Sequence, residues 1–325
     1  MRAVRCIEVG SIGDLVLEEV PPPEIRPGSV RVTVEAAGLN YVDALFVQGR
    51  YQIKPTPPFV PGSELAGTVT EIADDVGGIA PGDRIVASVG LGAFAEQVVL
   101  PASAVTLIPT SLSSPAAATL TQSFCTALYA LEQRARLRTG ETVLVLGGGG
   151  GVGHAAIQVA TSLGADVLAT ASTPEKASHA RAAGASVVLD PEPSSLRKRL
   201  REAAPAGIDV VVDPVGDAAT EPALRSLREG GRLLVIGFAG GEIPSIPTNL
   251  ILLRNRSVVG VDWGAWGMGH PAEQAALLRT VLAMVTEGRL HPPEPTAYPI
   301  EQAAMALEDL LNRRVTGKAA LVMEG

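Results

Sequence analysis

A chain of 325 residues, 46% of them hydrophobic, exceeds one ordinary core and suits two domains of about 100–200 residues each. The formal net charge of -8 argues against a general nucleic-acid or acidic-lipid surface, and no run reaches the roughly 18–20 uncharged apolar residues of a membrane-spanning helix. The opening MRAVRCIEVG lacks the apolar stretch of a secretion signal, so a cytoplasmic protein with no membrane or nucleic-acid partner is expected.

The N-terminal third holds short β-like runs, SVRVTVEAAG, LAGTVTEIA and DRIVASV, broken by PPPEIRPG, PTPPFVPG and APGD, and predicts a strand-and-turn domain. From about Pro115 the texture changes to Ala-rich helical stretches alternating with strands, beginning with SPAAATLTQSFCTALYALEQRARL. The strand TVLVLG (142–147) is followed by ADVLATA, ASVVLD, IDVVVD, GRLLVIGF and SVVGVD, with helical GHAAIQVATSLG, EKASHARAAG and TEPALRSLREG among them. Strands of near-continuous Val, Ile and Leu separated by helices are parallel and buried on both faces, which makes this an α/β, doubly wound domain. The basic SLRKRLRE (195–202) is a solvated helix face. After Trp263 come two helices, PAEQAALLRTVLAMVTEG and EQAAMALEDLL, and a last strand, KAALVM, expected to return to the first domain. Cys6 and Cys125 stand far apart, and His154, His179, His270 and His291 are scattered, so no metal site is expected.

LVLGGGGGVGHAAIQVA (144–160) follows a predicted strand and opens a predicted helix. Gly148, Gly150 and Gly153 fit G-x-G-x-x-G: the first for a tight turn, the second for close approach of a pyrophosphate, the third for helix–strand packing. Gly151 and Val152 lie at the start of the helix, whose N-terminal amides face the phosphates. At the end of the second strand, where an NAD site places Asp or Glu on the ribose 2′-hydroxyl, stand Ala171, Ser172 and Thr173. Nothing there repels a 2′-phosphate; Ser172 donates a hydrogen bond and Lys176 supplies a cation, so NADPH is the expected cofactor. Alternatively Lys176 is a surface residue of the next helix, and Glu175 beside it weakens the positive field.

GLNYVDALFVQGRY (38–51), PGSELAGTV (61–69), APGDRIVA (80–87), GGGGGVG (147–153), DPVG (213–216) and IGFAGGEIPSIPTN (236–249) together resemble, in the same order, the zinc-less quinone oxidoreductases of the medium-chain dehydrogenase/reductase superfamily. The resemblance implies a GroES-like, β-rich catalytic domain of residues 1–118 and 260–325, a Rossmann NADP(H)-binding domain of residues 119–259, a cleft between them, and a homodimer formed through an edge strand such as SVVGVD (257–262). Zinc-dependent members carry a cysteine in the early loop and a histidine in G-H-E; here Asn40 and Ser63 occupy those places. The resemblance sets Asn40, Asp43 and Tyr51 facing nicotinamide and substrate, the first two alternatively fixing their own loop and Tyr51 alternatively capping the cleft wall, and Leu45 where many relatives have a second tyrosine. Glu64 is expected to be structural rather than a general acid. Thr126, Val215, Gly216, Gly237, Phe238 and Ala239 are expected cofactor contacts. Arg314 falls where relatives place an arginine near the 2′-phosphate, while Asp190 replaces a tyrosine common in NADPH-using members. The activity implied is metal-free hydride transfer from NADPH to a quinone or related conjugated carbonyl; the alternatives are an enoyl-thioester or alkenal reductase and a non-catalytic NADPH-binding protein.

Overall fold

A computed structural model describes residues 1–323. In chain order its strands are β1 (Arg2–Arg5), β2 (Val16–Glu19), β3 (Ser29–Leu39), β4 (Glu64–Ile72), β5 (Arg84–Ser88), β6 (Gln97–Pro101), β7 (Val105–Leu107), β8 (Thr142–Val145), β9 (Asp166–Thr170), β10 (Val187–Leu189), β11 (Ile208–Asp213), β12 (Leu227–Val235), β13 (Ser257–Gly260), β14 (Thr296–Pro299) and β15 (Ala319–Val322). The chain divides into two compact units, Met1–Gln122 with the residues from Pro292 onward, and Ser123–His291. Among the described residues no helix is long and apolar enough to cross a membrane.

The first unit is built on β3, where buried Val30, Val32 and Val34 alternate with Arg31, Thr33 and Glu35, the period-2 pattern of a strand with one buried face. One edge of β3 pairs with β4, and the other is shared by β6 over Ser29–Thr33 and β15 over Ala36–Leu39. The larger sheet runs β14-β15-β3-β4-β5-β7 with β6 beside β3, and β1 and β2 form a separate ladder. Its core gathers Val32, Leu39, Leu65, Ile85, Phe94, Leu307 and Leu321.

The second unit carries a six-stranded sheet of order β10-β9-β8-β11-β12-β13, parallel throughout. Its first strand lies in the middle and the order reverses between β8 and β11, the switch point at which open α/β sheets bind ligands. Every residue of β11 is buried, as expected of a strand with helices on both faces. The chain leaves this unit at His291, about thirty residues beyond the return near 260 that the resemblance implied. The helix Pro271–Thr286 buries Leu277, Leu278, Val281, Leu282 and Met284. The Gln158 amide then bonds both backbone groups of His291, at 2.9 and 2.7 Å, and ties that residue to the helix Gly151–Ser162.

Candidate functional site

In the second unit the glycine turn joins β8 to the helix Gly151–Ser162, with Gly150 as its N-cap. The first i to i−4 bond runs from the His154 N–H to the Gly150 carbonyl at 2.8 Å, so the N–H groups of Gly151, Val152 and Gly153 precede the helical ladder at the positive end of its dipole. Gly147, with φ +65°, is the left-handed residue of the turn. That corrects the role expected of Gly148, which is instead packed so that a Cβ would come within 2.8 Å of Ala169 and 3.0 Å of Ile157. A Cβ on Gly153 would strike the Gly147 carbonyl, whereas one on Gly150 meets nothing nearer than 3.6 Å. The turn is therefore close-packed beneath and open at Gly150, where a ligand group has room to approach. Thr170, at the end of β9, anchors it by accepting from the Gly147 and Gly148 N–H groups at 3.0 and 2.8 Å.

Two further loops join this cradle at the C-terminal ends of β11 and β12. Asp213 Oδ1 accepts the N–H groups of Val215 and Gly216 at 2.9 and 2.8 Å, and its Oδ2 takes the Thr220 hydroxyl at 2.6 Å. Burial raises this carboxyl's pKa above the ordinary value, while those donors favour its ionised form. The Gly237-Phe238-Ala239 loop lies on the Asp213 loop through Ala239 N–H to Pro214 O at 3.2 Å and Gly240 N–H to Val215 O at 2.7 Å. Ser172 is exposed just past β9. Thr173 caps the helix Pro174–Ala182 by accepting from the Lys176 N–H at 3.2 Å, and the Lys176 stem lies against Gly149. Lys176 is thus part of the wall of the turn. Sequence reasoning named the loop residues and missed Asp213, although it stands at the head of DPVG. It also left His154 and His179 apart; the fold stacks their rings 4.0 Å apart, and burial followed by the His179 neighbour pushes His154 down to about 4.

In the first unit Asn40 opens the helix Tyr41–Val47, and Asp43 on its first turn accepts the Asn40 N–H at 2.8 Å. The Asn40 amide donates to Glu64 Oε1 at 2.9 Å and Ser63 Oγ at 3.2 Å, and its carbonyl accepts from Lys318 Nζ at 2.5 Å. Lys318 also donates to Glu64 Oε1 at 2.9 Å and the Leu39 carbonyl at 3.0 Å, while Glu64 Oε2 accepts the Gln122 N–H at 2.8 Å. Both Asn40 amide hydrogens are thereby engaged in holding the loop. Asp43 is buried with no hydrogen-bond partner for Oδ1 among the described residues, and desolvation pushes it up to about 7 against the pull of Ser63, Asn40 and Lys318. Tyr51 lies edge-on to Phe46 of the same helix, ring centroids 5.0 Å apart. Lys318 is the residue that sequence reasoning overlooked; its one local signal is the TGK that precedes the last strand.

Thr126 is buried in the second unit between two π-helical stretches, Thr121–Cys125 and Tyr129–Arg134, a local widening of the helix frequent at functional positions. Arg314 belongs to the first unit, where its guanidinium pairs with Asp309 at 2.5 Å. A zinc ion does not suit the Asn40 cluster. Its donors are an amide, a hydroxyl and a glutamate oxygen already taken by an ammonium, whereas zinc sites are built from thiolates, imidazoles and carboxylates.

Residues 26–110 match the alcohol dehydrogenase GroES-like domain and residues 151–282 the zinc-binding dehydrogenase domain. Over 325 residues the chain is 38% identical to quinone oxidoreductase-like protein 2 of Bos taurus, covering 99% of this chain and 93% of that protein. A mycobacterial protein solved in complex with NADPH superposes with a TM-score of 0.91 at 31% identity, covering 99% of each chain. A quinone oxidoreductase of Pseudomonas syringae pv. Tomato DC3000 does so with 0.90 at 30% identity, again over 99% of each.

Proposed function

The chain belongs to the quinone oxidoreductase-like family of the medium-chain dehydrogenase/reductase superfamily, and from that premise we propose that it is a metal-independent, NADPH-dependent reductase of quinones or related conjugated carbonyls. The observation that carries this reading is the cradle at the switch point: open space over Gly150, helix N–H groups beside it, and no acidic residue at Ala171, Ser172 or Thr173 directly after β9. The N–H groups of Gly151 and Val152 hold the diphosphate, and Ser172 and Lys176 hold the 2′-phosphate. NADPH, when bound, supplies the hydride.

As hydride reaches the acceptor, negative charge grows on an oxygen that hydrogen-bond donors must meet. We assign a holding role to Asn40 and Asp43, whose bonds fix their own loop, and set the Tyr51 phenol facing the acceptor, as the family resemblance implies. The test is NADPH consumption, followed by absorbance, against 1,4-benzoquinone, 1,2-naphthoquinone, an alkenal and an enoyl-thioester, with NADH in parallel. Turnover of the quinones with NADPH preferred, unaltered by a strong chelator, is expected. NADPH binding without turnover of any acceptor would instead favour a non-catalytic protein, and zinc-restored activity after chelation would overturn metal independence.

A further inference from the structure

The Lys318 side chain is 10% exposed, yet it is an ammonium. Its three protons have three acceptors, the Leu39 carbonyl at 3.0 Å, Asn40 Oδ1 at 2.5 Å and Glu64 Oε1 at 2.9 Å. No donor is left over for an incoming molecule, so this group serves its three acceptors and not a ligand. The ladder places it there: β15 pairs antiparallel with β3 at Ala319↔Leu39, and one step further sets Lys318 opposite Asn40. All three acceptors lie where chain direction changes. Leu39 ends β3, Asn40 opens the helix Tyr41–Val47, and Glu64 begins β4. Glu64 is fully buried and pairs there with the Lys318 ammonium.

We propose that Lys318 is the positioning residue of the Asn40 loop. Its ammonium clamps the end of β3, the head of the helix and the Glu64 carboxylate into one geometry, and so fixes the direction in which the Tyr41–Tyr51 segment presents its donors. The effect on turnover rests on the function proposed above, but the clamp itself does not.

Two variants and two readouts separate the possibilities, all in the full-length chain. Lys318→Met removes the clamp and leaves Glu64 unpaired; Lys318→Met with Glu64→Gln removes both charges, while the carboxamide oxygen introduced at position 64 still accepts from Asn40. Hydrogen exchange of amides 38–48 reads the loop directly, and steady-state kinetics with NADPH and the best acceptor read its use. For Lys318→Met we expect protection at 38–48 to fall by about tenfold or more while β8–β13 keep theirs. We expect kcat to fall by about a hundredfold, the scale of misplacing a reacting group by an ångström, with the KM for NADPH within about twofold.

The double variant should regain thermal stability but neither loop protection nor kcat; it also supplies the answer if the single variant does not fold. Unchanged protection at 38–48 in either variant overturns the clamp. Restoration of kcat in the double variant shows that Lys318 only neutralises Glu64, and equally overturns it. If the parent turns over no acceptor, the proposed function fails while the exchange readout still decides on Lys318.

Discussion

Gly150 and Gly153 stand three positions apart in one glycine run and face opposite demands. A methyl on Gly153 meets the Gly147 carbonyl, so Gly153→Ala should destabilise the protein by about 1–3 kcal/mol, as overpacking does. Gly150 has extended backbone, φ -94° and ψ 168°, and open space around its Cβ position. Gly150→Ala should therefore leave stability within about 0.5 kcal/mol and weaken NADPH roughly tenfold, because the methyl occupies the ligand's approach. Urea unfolding and NADPH fluorescence titration of the two variants check this, and equal effects on both quantities would refute the division of roles. The spacing of these glycines was legible because the motif is local. That Gly147 takes the positive φ was not, since spacing encodes no dihedral angle, and Lys318 was invisible because its partner Glu64 lies 254 residues away.

The helix Tyr41–Val47 begins against a carboxyl that resists ionisation. Unfolded, Asp43 titrates near its ordinary 3.8, whereas in the folded chain it titrates near 7. Between those values the folded chain holds a proton that the unfolded chain has released, so stability falls as pH rises from about 4 to about 7 and is level above. Relative to Asp43→Asn, the parent should lose up to about 1.4 kcal/mol per pH unit across that window. Urea unfolding of both proteins over that range measures it, and parallel curves would exclude the effect. Among the elements, the six strands of the second sheet were legible from their unbroken apolar runs, and β3 from its alternation. The π-helical turns inside the stretch read as a single helix were not, because they arise from local bonding choices. At Thr119 the hydroxyl bonds back to the Ala116 carbonyl at 3.1 Å and competes with the regular ladder.

At the scale of the molecule, the second sheet ends at β13, with one edge unpaired among the described residues; Leu252 and Leu253, which precede it in the chain, are 77% and 59% exposed. An apolar edge of this kind templates pairing with another chain, and we propose that its occupant is β13 of a second copy. Light scattering should give twice the 33.4 kDa chain mass for the parent and a single chain mass for Leu252→Asp combined with Val258→Asp, with NADPH affinity unchanged. A parent of single chain mass would sink the dimer. The two-part organisation was legible from the change of texture near Pro115. Long-range ties such as Gln158 to His291, 133 positions later, leave no local signal.

A ribosome delivers this chain in sequence order, so residues 123–291 are complete before β14 and β15 exist. At that moment the parallel sheet has all six strands, while β3 still waits along one edge for β15 and Glu64 for its ammonium. A nascent chain stalled short of Lys318 therefore carries a finished cradle and an unlatched loop. Synthesis therefore completes the parallel sheet of the second unit before β15 and Lys318 arrive to close the first.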